Sequence, residues 1–155
     1  MAEWKAQFDL NQLGVASRFS FLVLSSPSKT GKTQFAKSLF GTGATLVLGC
    51  QNAEPNVRRF SRATYKAVVF DEITPQCVAR NKVLFQAGVE GVDCAQSRTS
   101  IYSYWRFLYA APLILCTNEW LEDLPARELE ENKKAWDWIR ANQFHVHVDR
   151  SVYEA

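Results

Sequence analysis

The sequence predicts an α/β fold built around a mainly parallel β-sheet. Four short apolar segments rich in Val and Leu are separated by polar, helix-like segments; the apolar ones are 19–25, 43–49, 65–72 and 111–118. Near-continuous apolar runs of this length are typical of strands buried on both faces. Strands that alternate with helices are typical of a parallel sheet covered by helices.

Helix-like segments lie between and after these strands, over residues 31–40, 54–62, 76–88 and 126–142. In the last of them the apolar residues recur at helical spacing and are predicted to line one face; these are Leu129, Ala135, Trp136 and Ile139. Glu and Lys occupy the opposite face, as expected of a helix on the surface of a domain.

Residues 92–107 follow a different pattern, because strand-forming residues lie on both sides of a polar centre from Gln96 to Ser100. This pattern predicts a β-hairpin inserted between two core elements. We therefore predict a lead-in over residues 1–18, one domain over 19–150 and a tail over 151–155. The 155-residue chain, 47% hydrophobic and 22% charged, is long enough for such a domain.

Composition excludes several classes of protein. No apolar run reaches the roughly 18 residues needed to span a bilayer. The N-terminal residues lack the apolar core of a signal peptide, so we expect an intracellular protein that does not bind a membrane. The four cysteines have no zinc-binding spacing and are expected to be reduced thiols. A net charge of +2 permits nucleic-acid binding without indicating it.

The segment Ser-Pro-Ser-Lys-Thr-Gly-Lys-Thr matches the phosphate-binding pattern G-x-x-x-x-G-K-[ST] at every defined position except the first. In this pattern backbone N–H groups hold nucleotide phosphates, and the lysine reaches the β- and γ-phosphates. The final threonine offers its hydroxyl to Mg²⁺. The predicted nucleotide-binding residues are Ser26, Pro27, Ser28, Lys29, Thr30, Gly31, Lys32 and Thr33. The alternative is an ordinary strand–turn–helix with a surface Gly-Lys-Thr.

Polar residues follow two later strands. Asp71 ends one strand, where a carboxylate is well placed to hold Mg²⁺, and Glu72 follows as a candidate to activate water. Asn118 ends the strand "PLILCT" and is predicted to orient that water and sense the γ-phosphate. The alternatives are an acid pair that caps a helix and an asparagine that turns the chain.

Three segments of the sequence resemble, in order, motifs A, B and C of superfamily 3 helicases: S-P-S-K-T-G-K-T, V-V-F-D-E and P-L-I-L-C-T-N. The resemblance is strongest to the helicase domains of replication-associated proteins of circular single-stranded DNA viruses, such as geminiviruses and circoviruses, and covers residues 19–150. It implies a P-loop NTPase fold of the AAA+-like type, a three-layer sandwich with an inserted β-hairpin. It also implies an ATP- and Mg²⁺-dependent helicase or translocase, in the host nucleus if the chain is viral.

The resemblance implies further roles for individual residues. In the family, a hairpin between motifs B and C carries a basic residue that grips single-stranded nucleic acid, and Arg98 stands at the predicted hairpin tip. Superfamily 3 domains also occur in small RNA viruses, so DNA and RNA both remain candidate partners. The alternative for Arg98 is a surface arginine beside core aromatics.

Superfamily 3 helicases assemble as rings and need an arginine from the neighbouring subunit near the γ-phosphate. The candidates are Arg127, Arg140 and Arg150, and Arg140 is preferred because it lies just before the last predicted strand. The alternative is a solvated arginine at a helix C-terminus. We expect the residues before the first predicted strand to be too few for the nicking domain that precedes this domain in the family, or for the usual oligomerisation segment, which puts ring formation in question.

A His145-Val146-His147 triplet places two imidazoles on one side of a strand, where both could bind one metal. The preferred interpretation is a histidine pair on the exposed face of the last strand. Two other functions stay open. A small nucleotide kinase is disfavoured by the acid-rich stretch 119–134, where such enzymes carry a basic lid. A nucleotide- or nucleic-acid-binding remnant without unwinding activity is the second alternative.

Overall fold

The computed structural model describes residues 2–8, 19–27, 31–51, 54–88, 92–95, 103–106 and 108–148. Its strands are β1 (Phe21–Ser25), β2 (Thr45–Gly49), β3 (Ala67–Asp71), β4 (Val92–Ala95), β5 (Ser103–Arg106), β6 (Leu113–Thr117) and β7 (Gln143–His147). Five of them form one sheet in the order β2-β3-β6-β1-β7, and every neighbouring pair is parallel. Strands β4 and β5 pair antiparallel in a separate sheet.

The helices are α1 (Ala2–Ala6), α2 (Lys32–Ser38), α3 (Pro75–Arg80), α4 (Lys82–Phe85), α5 (Ala126–Glu131) and α6 (Lys133–Asn142). Single 3-10 turns cover Thr42–Ala44 and Leu121–Asp123. The prediction of an α/β fold with a parallel sheet is confirmed, and this architecture is compatible with a Rossmann-like or a P-loop fold.

The sheet is buried on both faces, and alternate residues of each central strand enter different cores. One face packs against α3, α4 and α6 and includes Phe21, Val23, Phe70, Leu115, Trp136 and Ile139. The other packs against α1 and α2 and includes Trp4, Leu22, Leu24, Ala36, Val69 and Ile114. This double burial explains why the central strands read as continuous apolar runs. The predicted core positions Trp136 and Ile139 are confirmed.

Part of the predicted lead-in packs against this core. The Trp4 side chain on α1 is buried, and its indole N–H donates to the Ser20 carbonyl over 2.8 Å. Gln7 makes a reciprocal pair of hydrogen bonds with the Ser20 backbone, at 2.9 and 2.8 Å. The first residues of the chain therefore anchor the entry into β1.

One predicted helix is wrong and two are interrupted. Residues 54–62 form turns, because the Asn56 side chain accepts from the Arg58 N–H over 3.0 Å and the Phe60 N–H donates to the Val57 carbonyl over 2.9 Å. Such local bonds compete with the helical pattern. The helix predicted over 76–88 breaks at Asn81, and that over 126–142 breaks at Asn132.

Candidate functional site

The strand order creates a crevice at the carboxyl ends of β1 and β6. From β1 the chain runs through α2 to β2 at one edge of the sheet, whereas from β6 it runs through α5 and α6 to β7 at the other edge. These two connections pass on opposite faces of the sheet, α2 on one and α6 on the other, and open α/β sheets bind ligands in the crevice outside the carboxyl ends of their strands. The residues that follow these two strands are therefore the first candidates for a site.

After residues 28–30, the described part of the chain resumes at Gly31 and Lys32. Gly31 has φ of 81° and ψ of 19°, a left-handed conformation that glycine adopts without steric cost, and it directly precedes α2. Lys32 opens the helix with only 8% of its surface exposed. We refer to residues 26–33 as the candidate phosphate segment; Ser28, Lys29 and Thr30 lie outside the described residues.

The Lys32 ammonium is held between the candidate phosphate segment and the end of β6. Its Nζ lies 3.1 Å from the Ser26 carbonyl, the Ser26 hydroxyl and the Pro27 carbonyl, and 3.0 Å from Asn118 Oδ1. Burial lowers the pKa of Lys32 below its usual value. The two sequence motifs that contain Lys32 and Asn118 are therefore brought together, although the residues are far apart in the chain.

Thr33 and Asp71 form a second contact between motifs. The Thr33 hydroxyl donates to Asp71 Oδ1 over 3.1 Å, and Asp71 is the last residue of β3. Both offer hard oxygen atoms, which Mg²⁺ prefers, and Mg²⁺ sites commonly use only one or two carboxylates with water and substrate phosphates. The donor set therefore fits Mg²⁺. In the described part of the chain, no group of three or more His, Cys, Asp and Glu side chains is arranged to hold a metal ion.

Cys116 lies on β6 beside these residues and is fully buried. Burial raises the pKa of its thiol to about 12, and the nearby Asp71 carboxylate acts in the same direction. The thiol therefore stays protonated at neutral pH, so it adds no charge to the surroundings of Lys32 and Asp71.

Glu72 is exposed and lines a cavity of about 490 Å³, which Thr117 and Asn118 also line. Its backbone has φ of 57°, a left-handed conformation that is unusual for a residue with a side chain. A second cavity, of about 380 Å³, is lined by Ser26, Pro27, Asn118, Glu122 and other residues. Asn118 lines both cavities: the one that Glu72 lines and the one that Ser26 and Pro27 of the candidate phosphate segment line.

Of the candidate arginines, Arg140 and Arg127 are described, and each forms an ion pair within its own helix. The Arg140 side chain is half-exposed in the last turn of α6 and pairs with Asp137 over 3.5 Å. Arg127 pairs with Glu131 over 2.9 Å on α5. Arg98 and Arg150 lie outside the described residues, as does the stretch between β4 and β5.

The preferred interpretation of the histidine pair is wrong for one member. The His145 side chain is 21% exposed, and its Nε2 lies 2.6 Å from the Ser25 hydroxyl oxygen. Its Nδ1 lies 3.4 Å from Glu122 Oε1. His147 is exposed, as expected. The physical reason is that β7 pairs with β1, so that His145 faces Ser25 at the end of the neighbouring strand rather than solvent.

Sequence reasoning missed Ser25 and Glu122 because neither belongs to a recognisable motif. The register of β7 against β1 brings Ser25 to His145, and the 3-10 turn after β6 brings Glu122 there. No helix among the described residues is long and apolar enough to cross a membrane. No protein-family model and no curated protein matches the chain.

Proposed function

We propose that the chain is a Mg²⁺-dependent ATPase domain that acts as a helicase or translocase on single-stranded nucleic acid. The observation that carries the ATPase proposal is the contact of Lys32 Nζ with Asn118 Oδ1 at 3.0 Å, next to the Thr33–Asp71 hydrogen bond at 3.1 Å. Three separate motifs thereby converge on the crevice where open α/β sheets bind ligands.

Each residue in the crevice has a role that its chemistry supports. Lys32 binds phosphate oxygens through its ammonium, while Thr33 and Asp71 hold Mg²⁺ through oxygen atoms. Bound Mg·ATP supplies the electrophilic phosphoryl group and a cation that neutralises charge. Glu72 accepts a proton from the attacking water, and Asn118 orients that water with its side-chain amide.

Coupling to nucleic acid is the less direct part of the proposal. It rests on the likeness of the three motifs to superfamily 3 helicases and on the antiparallel pair β4–β5 between the second and third motifs. Arg98, between these strands in sequence, is the proposed contact to single-stranded DNA or RNA. Arg140 of a neighbouring copy is the proposed arginine that completes the site in a ring-shaped homo-oligomer.

Steady-state ATP hydrolysis with and without Mg²⁺ tests the ATPase proposal. We expect Lys32→Ala to lower turnover by about a hundredfold or more, because it removes a charge that stabilises the transferring phosphoryl group. Lys37→Ala is the matched control, since Lys37 lies in the last turn of the same helix, away from the crevice. Equal rates in the two variants would contradict the assignment of Lys32.

The same assay at several protein concentrations tests assembly and coupling. An arginine supplied by a neighbouring copy requires association, so specific activity is expected to rise with protein concentration. Added single-stranded DNA or RNA is expected to stimulate turnover. ATP binding without turnover at any concentration would instead favour the binding-only remnant.

A further inference from the structure

The His145 ring lies between the Ser25 hydroxyl, to which it is hydrogen-bonded, and the Glu122 carboxylate, with which it makes a longer ionic contact, beside the start of the candidate phosphate segment. Ser25 Oγ lies 2.6 Å from His145 Nε2, and His145 Nδ1 lies 3.4 Å from Glu122 Oε1. The three side chains come from β1, from β7 and from the 3-10 turn after β6. Parallel pairing places Ser25 opposite His147 and Val23 opposite His145, so both histidines share the side of the sheet on which Ser25 lies.

The partners determine which atoms carry protons. The negative charge of the Glu122 carboxylate near His145 Nδ1 favours the imidazole tautomer that carries its proton on Nδ1. In the neutral imidazole Nε2 is then an acceptor, and the Ser25 hydroxyl donates its single proton to it. His147 Nδ1 lies 3.4 Å from the same hydroxyl oxygen, and Asp123 lines the adjoining cavity with Glu122 and His147. The hydroxyl direction of Ser25, which is 4% exposed, is therefore set by His145.

Ser25 and Glu122, the two partners of His145, each lie close in sequence to the oxygens that hold Lys32. Ser25 directly precedes Ser26 and Pro27, whose carbonyls accept from Lys32 Nζ, and its own carbonyl accepts from the Val148 N–H over 2.8 Å. Glu122 lies in the turn that follows Asn118, the fourth acceptor. The imidazole thus links the two backbone segments between which the ammonium is held.

We propose that His145 is a positioning residue for nucleotide binding: through Ser25 it fixes the start of the candidate phosphate segment, and through Glu122 it fixes the turn after Asn118. This inference rests on the proposed function, because it assumes that nucleotide binds beside Lys32. Loss of the imidazole leaves the Ser25 hydroxyl and the Glu122 carboxylate without this partner. It removes a side-chain link between two segments that the backbone bond from the Ser26 N–H to the Thr117 carbonyl, 3.2 Å long, also joins, and so loosens their relative position.

Equilibrium binding of a fluorescent ATP analogue with Mg²⁺ tests the proposal. His145→Phe keeps a ring of similar size and loses the hydrogen bond to Ser25 together with the contact to Glu122. We expect the dissociation constant to rise about fivefold, as for the loss of one hydrogen bond. His145→Gln keeps an amide oxygen that can accept from Ser25 and is expected to bind nearly as tightly as the wild type. If hydrolysis is measured, KM is expected to rise with kcat little changed.

Two further variants separate positioning from stability. Val146→Ala truncates the opposite side of β7, and it is expected to lower the unfolding midpoint without changing nucleotide affinity. Ser25→Ala is expected to weaken binding as His145→Phe does, and the double variant no more than either. If His145→Phe does not fold, Ser25→Ala tests the proposal in its place.

The outcomes distinguish this inference from the proposed function. A wild-type chain that binds nucleotide, with equal affinity in His145→Phe and Ser25→Ala, overturns the positioning role and leaves the ATPase proposal standing. Equal weakening by His145→Phe and His145→Gln also overturns it, since the hydrogen bond to Ser25 would then be irrelevant. A wild-type chain that does not bind nucleotide overturns both.

Discussion

Glu72 combines an exposed carboxylate with a backbone conformation that costs free energy. Its φ of 57° brings Cβ close to the following carbonyl, and a residue with a side chain loses about 1 kcal/mol or more in this region. The residue lies directly after Asp71 and lines the cavity that Asn118 faces. Strain of this kind persists where the surrounding structure requires it, and it often accompanies a functional position.

Two substitutions separate the backbone of Glu72 from its carboxylate. We expect Glu72→Gly to raise the free energy of unfolding by about 0.5 to 1 kcal/mol, because glycine adopts positive φ without steric cost. Glu72→Gln is expected to leave stability within about 0.5 kcal/mol of the wild type. Both variants are expected to lose ATP turnover and keep ATP binding.

Urea denaturation and nucleotide binding measure these two effects. A lower stability of Glu72→Gly than of Glu72→Gln would show that the positive φ is not the source of strain. Full turnover in Glu72→Gln would remove Glu72 from the proposed chemistry.

At the scale of elements, the start of α3 fixes the chain just after Asp71 and Glu72. Thr74 precedes the helix in an extended conformation, and its hydroxyl accepts from the Cys77 N–H over 3.2 Å. Pro75 follows at the first helical position, where its missing N–H is not needed. Thr74 and Pro75 both line the cavity that contains Glu72.

Thr74→Ala is expected to lower the free energy of unfolding by about 1 kcal/mol, because it removes this N-terminal cap. Thr74→Ser keeps a hydroxyl at the same position and is expected to retain most of the stability. The measurement is the urea midpoint of each variant. Equal midpoints for the alanine and serine variants would indicate that the cap contributes no stability to α3.

The elements also show how far the sequence predicts this fold. The three central strands, β1, β3 and β6, were predictable because burial on both faces makes them nearly continuous apolar runs, and the edge strand β2 has a similar composition. The turns over 54–62 were not, because the hydrogen bond from the Arg58 N–H to the Asn56 side chain outweighs a helix-like pattern. The helix breaks at Asn81 and Asn132 follow from the low helix propensity of asparagine, a weak signal in the sequence alone.

The candidate site was predictable where the chemistry lies in contiguous motifs. The predicted residues follow apolar strands in the sequence or stand at their ends; they are Lys32, Thr33, Asp71 and Asn118. The contacts of Lys32 with Asn118 and of Thr33 with Asp71 agree with a position at the ends of neighbouring strands. The contact of His145 with Ser25 was not predictable, because it depends on which strand occupies the position beside β1. That choice is made by packing of the whole sheet rather than by local pattern.

At the scale of the whole molecule, three buried thiols make the stability of the fold depend on pH. Cys50, Cys77 and Cys116 are all free and less than 5% exposed. Burial raises the pKa of the Cys50 and Cys116 thiols to about 12 and that of Cys77 to about 11, from an ordinary value of 9.0. The folded protein therefore keeps thiol protons at pH values where the unfolded chain releases them.

This difference is expected to destabilise the fold at alkaline pH. Because the folded pKa values are raised, the stabilisation is fully present below pH 9 and is lost as pH rises towards the folded values. Each thiol contributes a slope of about 1.4 kcal/mol per pH unit within that window. Lys32 acts in the opposite direction: because its pKa is lowered in the folded state, the folded protein loses this proton at a lower pH than the unfolded chain does. Three thiols oppose this single lysine, so the net effect is a loss of stability.

Urea unfolding at pH 8, 9 and 10 measures the effect. The free energy of unfolding is expected to fall across this series, and the fall is expected to be smaller in Cys50→Ala, which retains two of the three thiols. A flat profile in the wild type would show that the thiols ionise as readily in the folded protein as in the unfolded chain.

The position of β1 within the sheet also has a consequence for how the chain folds during synthesis. Its two partners begin at Leu113 and Gln143, so β1 stays unpaired along both edges while most of the domain is being made. Such long-range pairing slows folding and leaves apolar strands open to aggregation in the meantime. Nucleotide cannot shorten this interval, because Lys32 emerges from the ribosome long before Asn118. The two edges of β1 are thus both paired only after β7 has been made, and until then they are open to intermolecular pairing.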